Sequence, residues 1–245
     1  MRLAVYSDIH GNRLALDAVL AAIEQAAPDL VINLGDLFSG SLQPKATAER
    51  IRPLNHLVIK GNHERQLLAG PTSASDRLAR SQLSHDDLNW IAALPERLEP
   101  APGVVAVHGT PRSDLEYLTV TVDENGARPA SDAEITERLG ADAAASLVLC
   151  GHTHLATVRQ LPGGPLVVNP GSVGTPAFAA AKPRPHYIET GSPQARYALL
   201  ENQDGIWAAT LHQVEYDWEA AARIAERNHR PEAAYSLRTG LAPRK

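Results

Sequence analysis

Short apolar runs recur along the first two thirds of the chain, each closed by a polar turn. They are Leu3–Ser7, Leu30–Leu34, His56–Ile59, Val104–Val107 and Leu147–Cys150. Runs of this kind, without polar alternation, suit strands covered on both faces, and the helix-like stretches between them predict α/β layering. Between the first two runs, Leu16, Val19, Leu20 and Ile23 keep helical spacing until Pro28 ends the pattern, and Asn12 stands where it would cap that helix. After Cys150 the texture changes. Thr157–Leu161, Leu166–Val168, Arg196–Glu201 and Ile206–Val214 read as strands, with Gly163-Gly164 and Asp204-Gly205 as hairpin turns, so an antiparallel second half is expected. Trp218–Arg227 reads as a helix with a charged outer face, followed by a polar tail ending in Pro243, Arg244 and Lys245. The stretch Gly171–Gln194 holds Pro176, Pro183, Pro185 and Pro193 and reads as one long surface loop.

Composition narrows the picture. A chain of 245 residues with 44% hydrophobic and 21% charged positions suits one large domain, 1–245, with a loop insertion around 171–194. The net charge of -5 and the 4% aromatic content offer neither a basic face nor stacking platforms, so nucleic acid beyond short oligonucleotides is not an expected partner. Cys150 is the single cysteine, which excludes an internal disulfide and fits a reducing compartment. The first apolar run is too short for a signal peptide, and no run of about 18 apolar residues offers a membrane span. The expected location is the cytoplasm.

Each apolar run of the first half ends in residues able to bind metal or phosphate. These ends read Ser7-Asp8-Ile9-His10-Gly11-Asn12, Gly35-Asp36, Gly61-Asn62-His63-Glu64, His108-Gly109-Thr110 and Gly151-His152-Thr153-His154. Ligands of open α/β sheets gather outside the carboxyl ends of the strands, so five such turns could share one crevice. Asp8 and His10 are two residues apart, as are His152 and His154; on extended chain each pair would point to one side of a cavity. Imidazole and carboxylate without a useful thiolate suit manganese, iron, zinc or nickel and exclude copper-thiolate and iron–sulfur chemistry. Two such ions, held by Asp8, Asp36 and neutral His and Asn side chains with one hydroxide, would leave about one positive charge to attract a phosphate ester.

In order and spacing these five blocks resemble the signature of the calcineurin-like metallophosphoesterase superfamily: D-x-H, G-D, G-N-H-[DE], a histidine before glycine, and G-H-x-H. Asn169-Pro170-Gly171-Ser172-Val173-Gly174 resembles the motif that follows in its small bacterial phosphodiesterase-like branch. The resemblance implies a four-layer α/β/β/α sandwich of two mixed sheets flanked by helices. It implies that Asp8, His10, Asp36 and His154 hold one divalent metal ion and that Asp36, Asn62, His108 and His152 hold a second, manganese foremost. His63 would be the histidine that stays off the metals, contacts the phosphoryl group and protonates the leaving oxygen. The implied reaction is hydrolysis of a small phosphodiester or nucleotide-like phosphate by a metal-bridging hydroxide, with no covalent intermediate. Only His63 is free of metal and able to remain protonated near neutrality.

Departures from the pattern sharpen the expectation. Protein Ser/Thr phosphatases carry an Asp and an Arg shortly after G-D, whereas Gly35-Asp36-Leu37-Phe38-Ser39-Gly40 has neither; Ser39 stands where their Asp would orient the catalytic histidine, and Lys60 replaces their Arg before G-N-H. A protein phosphatase is therefore not expected. The rivals are an asymmetric dinucleoside polyphosphate hydrolase, a nuclease, and a metal-binding interaction scaffold without turnover, as one retromer subunit uses this fold. Asn12, at a helix start, and Arg112, four residues after His108, are further candidates to bind substrate phosphate. Asn169 and Ser172 read as turn formers. Phe38 and Cys150 read as core residues, and His56, His85, His186, His212 and His229 as surface or packing residues. Of these only His186, with Phe178, Lys182 and Arg184, lies in the loop that could overhang the site as a lid.

Overall fold

The first apolar run folds as β1 (Arg2–Tyr6) and leads into α1 (Arg13–Ala26), where Asn12 Oδ1 accepts the Ala15 N–H at 3.1 Å as the expected cap. The computed structural model describes residues 1–244. The chain continues through β2 (Leu30–Asn33), α2 (Pro44–Ile51), β3 (Leu57–Val58), α3 (Asn62–Ala69), α4 (Ala74–Gln82) and α5 (His85–Ala93). Then come β4 (Arg97–Ala101), β5 (Val104–Val107), a hairpin of β6 (Val120–Asp123) and β7 (Gly126–Pro129), α6 (Asp132–Leu139) and β8 (Leu147–Leu149). The last third holds β9 (Thr157–Gln160), β10 (Leu166–Asn169), β11 (Ala177–Ala180), β12 (His186–Glu189), β13 (Ala195–Gln203), β14 (Ile206–Val214), α7 (Trp218–Arg227) and α8 (Pro231–Thr239).

Two five-stranded sheets result, ordered β14-β13-β1-β2-β3 and β4-β5-β8-β10-β9. Each is mixed: β1, β2 and β3 are parallel, as are β5, β8 and β10, and antiparallel strands flank both sets. Strand alternation sorts the core. Leu3, Val5, Ile32 and Leu34 face Val104, Ala106, Leu147 and Leu149 of the other sheet in one buried cluster. Their neighbours Ala4 and Tyr6 point the other way, onto Leu16, Val19 and Ile23 of α1. On the far side, Val105, Val107 and Val148 pack on Ile135 and Leu139 of α6. The layers are therefore helix, sheet, sheet, helix, as the resemblance implies.

Three expectations need correction. The antiparallel strands after Cys150 do not form a second half: β9 and β10 complete one sheet, with β10 parallel to β8, while β13 and β14 return to the other beside β1. The stretch 171–194 is not one irregular loop. It opens on the buried turn Gly171–Gly174 and carries the antiparallel hairpin β11–β12, whose short strands are masked in the sequence by the surrounding prolines. The polar tail contains α8, started by Pro231 in the first turn and ended by Gly240 in the left-handed conformation; its final residue, Lys245, lies outside the described residues. None of the described helices is long and apolar enough to cross a membrane.

Candidate metal centre

The five polar turns do meet, at the carboxyl ends of β1, β2, β3, β5 and β8. They do so on strained backbone. Asp8, His10, Asp36, His152 and His154 have φ of +58°, +49°, +56°, +65° and +59°, a left-handed conformation that costs a non-glycine residue on the order of 1–3 kcal/mol. The extended i, i+2 geometry expected for the two pairs is thus replaced by consecutive sharp turns, and the histidines of Gly151–His154 diverge. His154 joins Asp8 and His10, whereas His152 joins Asp36 and His108.

Buried hydrogen bonds hold these turns. Asp8 N–H donates to Gly35 O and His10 N–H to Asp36 O, both at 3.0 Å, while Gly174 N–H and Ser172 Oγ donate to Asp8 O at 3.0 and 2.8 Å. Glu64, fully buried, accepts the N–H groups of Asp36, Leu37 and Gly61 at 2.8, 2.8 and 2.9 Å. Its carboxylate clamps the second turn to the third. Gly174 is needed for close approach: a Cβ there would lie 1.7 Å from Ile9 O.

The side chains converge as acceptors. His10, His108 and His154 each place Nδ1 at 2.7 Å from a backbone carbonyl, of Ser39, Leu34 and Thr175. A carbonyl only accepts, so Nδ1 carries the proton and Nε2 is turned to the centre. His152 is reversed: its Nε2 lies 3.2 Å from Leu115 O, which leaves Nδ1 free. Nε2 of His154 is 3.3 Å from Asp8 Oδ1, and Nε2 of His108 is 3.3 Å from Asp36 Oδ2 and 3.1 Å from Asn62 Oδ1. His10 Nε2 faces Asp36 Oδ2 at 3.9 Å and His154 Nε2 at 3.0 Å. Asp8 Oδ1 is buried with no hydrogen-bond partner. Neutral imidazoles at His10 and His154 would point lone pairs at one another and at a carboxylate oxygen, an arrangement that a cation between them satisfies. The donor set fits divalent metal.

Burial opposes charge on His108, yet Asp36 beside it raises the imidazole to about 10, so in the metal-free centre His108 faces that carboxylate as a donor, and only a metal ion would turn it into an acceptor. Burial opposes charge on Asp8, yet His154 and His108 together outweigh it and hold the carboxyl at about 2. At Asp36 burial again pushes up, and His108 and His63 hold it well below the usual range. Burial, then the neighbouring imidazole of His154, takes His10 down to about 4; burial and His108 do the same to His152. Burial disfavours charge on His63 too, but Asp36 and a hydrogen bond to Asp76 raise it to about 9.

Asp76 escapes sequence reading. Its Oδ1 lies 3.0 Å from His63 Nδ1, and its Oδ2 accepts from Ser73 at the start of α4. The carboxylate missing at Ser39 is thus supplied from another element, fully buried. Its only sequence signal is Ser73-x-x-Asp76, a helix capping box. Glu64 stands in the G-N-H-[DE] motif without an assigned role, and Tyr117, whose ring centroid lies 4.9 Å from that of His152, carries no sequence signal.

A cleft of 680 Å³ opens over the centre, lined by His10, Asp36, His63, His152 and His154. Two candidates are not brought into it. Asn12 spends its amide N–H groups on Gly174 O and the Tyr216 hydroxyl. Arg112 is bound to Glu116 and Glu137 and lines a separate 340 Å³ cleft beside His108. Phe38 is buried against Trp90, and Cys150 is buried with its thiol pushed up to about 12 by desolvation. His186 is buried and bonded to Tyr117.

The chain belongs to the calcineurin-like phosphoesterase superfamily, whose domain matches residues 1–190; it is a metallophosphoesterase-superfamily hydrolase, and the family uses divalent metals. Uncharacterized protein MJ0912 of Methanocaldococcus jannaschii is 25% identical over 94% of both chains. The fold is shared with a metallophosphoesterase from Sphaerobacter thermophilus (24% identity, TM-score 0.73, 97% of this chain and 98% of that one). It is also shared with hypothetical protein PH1004 from Pyrococcus horikoshii (20% identity, TM-score 0.76, 99% of both chains).

Proposed function

We propose that this chain is a dinuclear metal-dependent phosphoesterase that hydrolyses a small phosphodiester or nucleotide-like phosphate. The observation that carries the reading is a run of three overlapping groups of possible ligands: Asp8, His10 and His154 on one side, Asp36, His108 and His152 on the other, and His10, Asp36 and His63 between them, where we assign His63 to the substrate because Asp76 holds its Nδ1. Asp8, His10, Asp36 and His154 would hold one ion, and Asp36, Asn62, His108 and His152 the other. Two divalent ions, for which this oxygen and imidazole set suits manganese, iron, zinc or nickel and the family resemblance favours manganese, would supply an acidified water and positive charge for the phosphoryl oxygens.

The chain's own residues do the rest. His63 is held at the cleft by Asp76, with Nδ1 bound and Nε2 left for substrate, and it keeps its proton at neutral pH to pass it to the departing oxygen. Asp36 accepts the His63 N–H at 3.0 Å, which ties the start of α3 to the bridging carboxylate. Glu64 fixes the backbone beneath both. Cleft-lining residues run from His10 to Arg244, so we read the activity as that of one domain.

The test is steady-state hydrolysis of an aryl phosphodiester and its monoester by metal-stripped protein with manganese added back. Turnover should require the metal and fall by about 10⁴-fold in Asp36→Asn, the scale of a metal-centre loss. Metal-independent hydrolysis, or equal rates for the variant, would sink the reading.

A further inference from the structure

The hairpin inside 171–194 stands as a partition over the centre. Side chains of a strand alternate between its faces, and β11 uses both. Ala177 and Ala179 line the 680 Å³ cleft, Ala180 lines a second cleft of 1160 Å³, and Phe178 borders both. The Phe178 ring stands edge-on to His154, with centroids 4.7 Å apart. His152 and Ser73 also border both clefts, so the two spaces meet at the centre itself.

The second cleft is built for an uncharged group. Leu115, Tyr117, Val120 and Pro183 give it apolar walls, and Tyr117 and Phe178 provide two ring faces or edges. Its charged side chains are already spent: Arg138 donates to the carbonyls of Tyr117, Leu118 and Val120 at 3.1 Å each, Glu116 is paired with Arg112, and Asp76 with His63. Among the described charged residues that line it, only Lys182, which is exposed, has no such partner. The wall is fastened. His186 on β12 gives its Nδ1 proton to Arg184 O at 2.7 Å, so its Nε2 accepts from the Tyr117 hydroxyl at 3.1 Å.

We infer that the partition divides the two ester groups of the proposed phosphodiester between the clefts, and that the group in the second cleft is an uncharged ring seated against Tyr117 and Phe178. This rests on the phosphoesterase reading. A monoester would leave the second cleft unused, and a dinucleoside polyphosphate would place charged phosphates where the walls are mostly apolar and the carboxylates already paired.

The test fills the second cleft from the partition. Ala180→Phe, and Ala180→Leu as a milder variant, place bulk on a half-buried strand position that tolerates it. Two readouts are taken with manganese present: kcat/KM for bis(4-nitrophenyl) phosphate relative to 4-nitrophenyl phosphate, and calorimetric affinity for diphenyl phosphate relative to phenyl phosphate. Both ratios should fall in Ala180→Phe by about tenfold, the scale of one lost aromatic contact, and by less in Ala180→Leu. Ratios unchanged from wild type would overturn the proposal, as would a wild-type preference for diadenosine tetraphosphate over the diester. The calorimetric arm is read whether or not the esters turn over, so a failure of the phosphoesterase reading leaves the cleft assignment separately decidable.

Discussion

The floor of the site and the wall that divides it are built by opposite means. The floor consists of turns whose side chains are buried apart from the half-buried His63 and His152, whose backbone is strained at five non-glycine residues, and whose amides and carbonyls are tied to one another across chain segments. The wall is a four-residue strand of alanines and one phenylalanine, paired with a single neighbour, with Ala179 and Tyr187 exposed. A reacting centre demands atoms fixed to a fraction of an ångström, and burial with full hydrogen bonding supplies that. A specificity wall needs only the right width, which small side chains on a replaceable hairpin give. On the proposed function, the difference means that substitutions in the wall should alter selectivity while those in the floor alter the chemistry.

Substitutions should separate the two regions by the size of their effects. His63→Ala should lower kcat by about 10²–10⁴-fold, the range of a lost general acid, while the bound metal content stays at the wild-type level; loss of metal along with activity would make His63 part of the floor's ligand set. Asp76→Asn, which keeps the shape of the side chain, should cost about 10–100-fold in kcat with little change in KM, as loss of an orienting partner does. Ser73→Ala is the comparison, because Ser73 bonds Asp76 Oδ2 and borders the clefts but makes no bond to His63. Equal kinetic losses in the two variants would reduce Asp76 to a helix cap.

Stability should report the same contrast on a smaller scale. Gly174→Ala drives a methyl group into Ile9 O and should destabilise by about 2–5 kcal/mol in denaturant melts. Gly191→Ala, where nothing lies within 4 Å but φ is +69°, should cost only about 1 kcal/mol. Similar costs at both would show that the floor yields more than its hydrogen bonding implies. Least of all, Asp76 should leave a trace in the pH dependence of the metal-free protein. Burial pushes its carboxyl up, yet hydrogen bonds from His63 and Ser73 win and depress it below 3.8. Such a group stabilises the fold above pH 3.8 and loses that contribution as pH falls toward the depressed value. The acid-side slope should be shallower in Asp76→Asn; an unchanged slope would mean that the bond to His63 adds nothing to folding.

The floor was legible because its chemistry uses scarce residue types at fixed turns. Asp8, His10, Asp36, Asn62, His108, His152 and His154 all sit where an apolar run stops, and they meet as that pattern implies. The conformation of those turns was not legible, because left-handed φ at Asp and His leaves no mark in composition. Asp76 hid in an ordinary capping box, and Glu64 in a motif position read without a role. The wall was invisible for a different reason. Ala177–Ala180 has neither the apolar alternation nor the β-branched residues that announce a strand, and its identity depends on pairing with His186–Glu189 across a proline-rich turn. Arg112 and Asn12 show the converse: each had the right chemistry near a motif, and each was already engaged by a neighbour.

The central claim is that one carboxylate, Asp36, joins two metal sites. Electron paramagnetic resonance of manganese-loaded protein tests it most directly, because two ions sharing a bridging ligand are magnetically coupled. Wild type should give the spectrum of a coupled pair, and Asp36→Asn should give isolated-ion signals or none. An isolated-ion spectrum in the wild type at full metal loading would contradict the account.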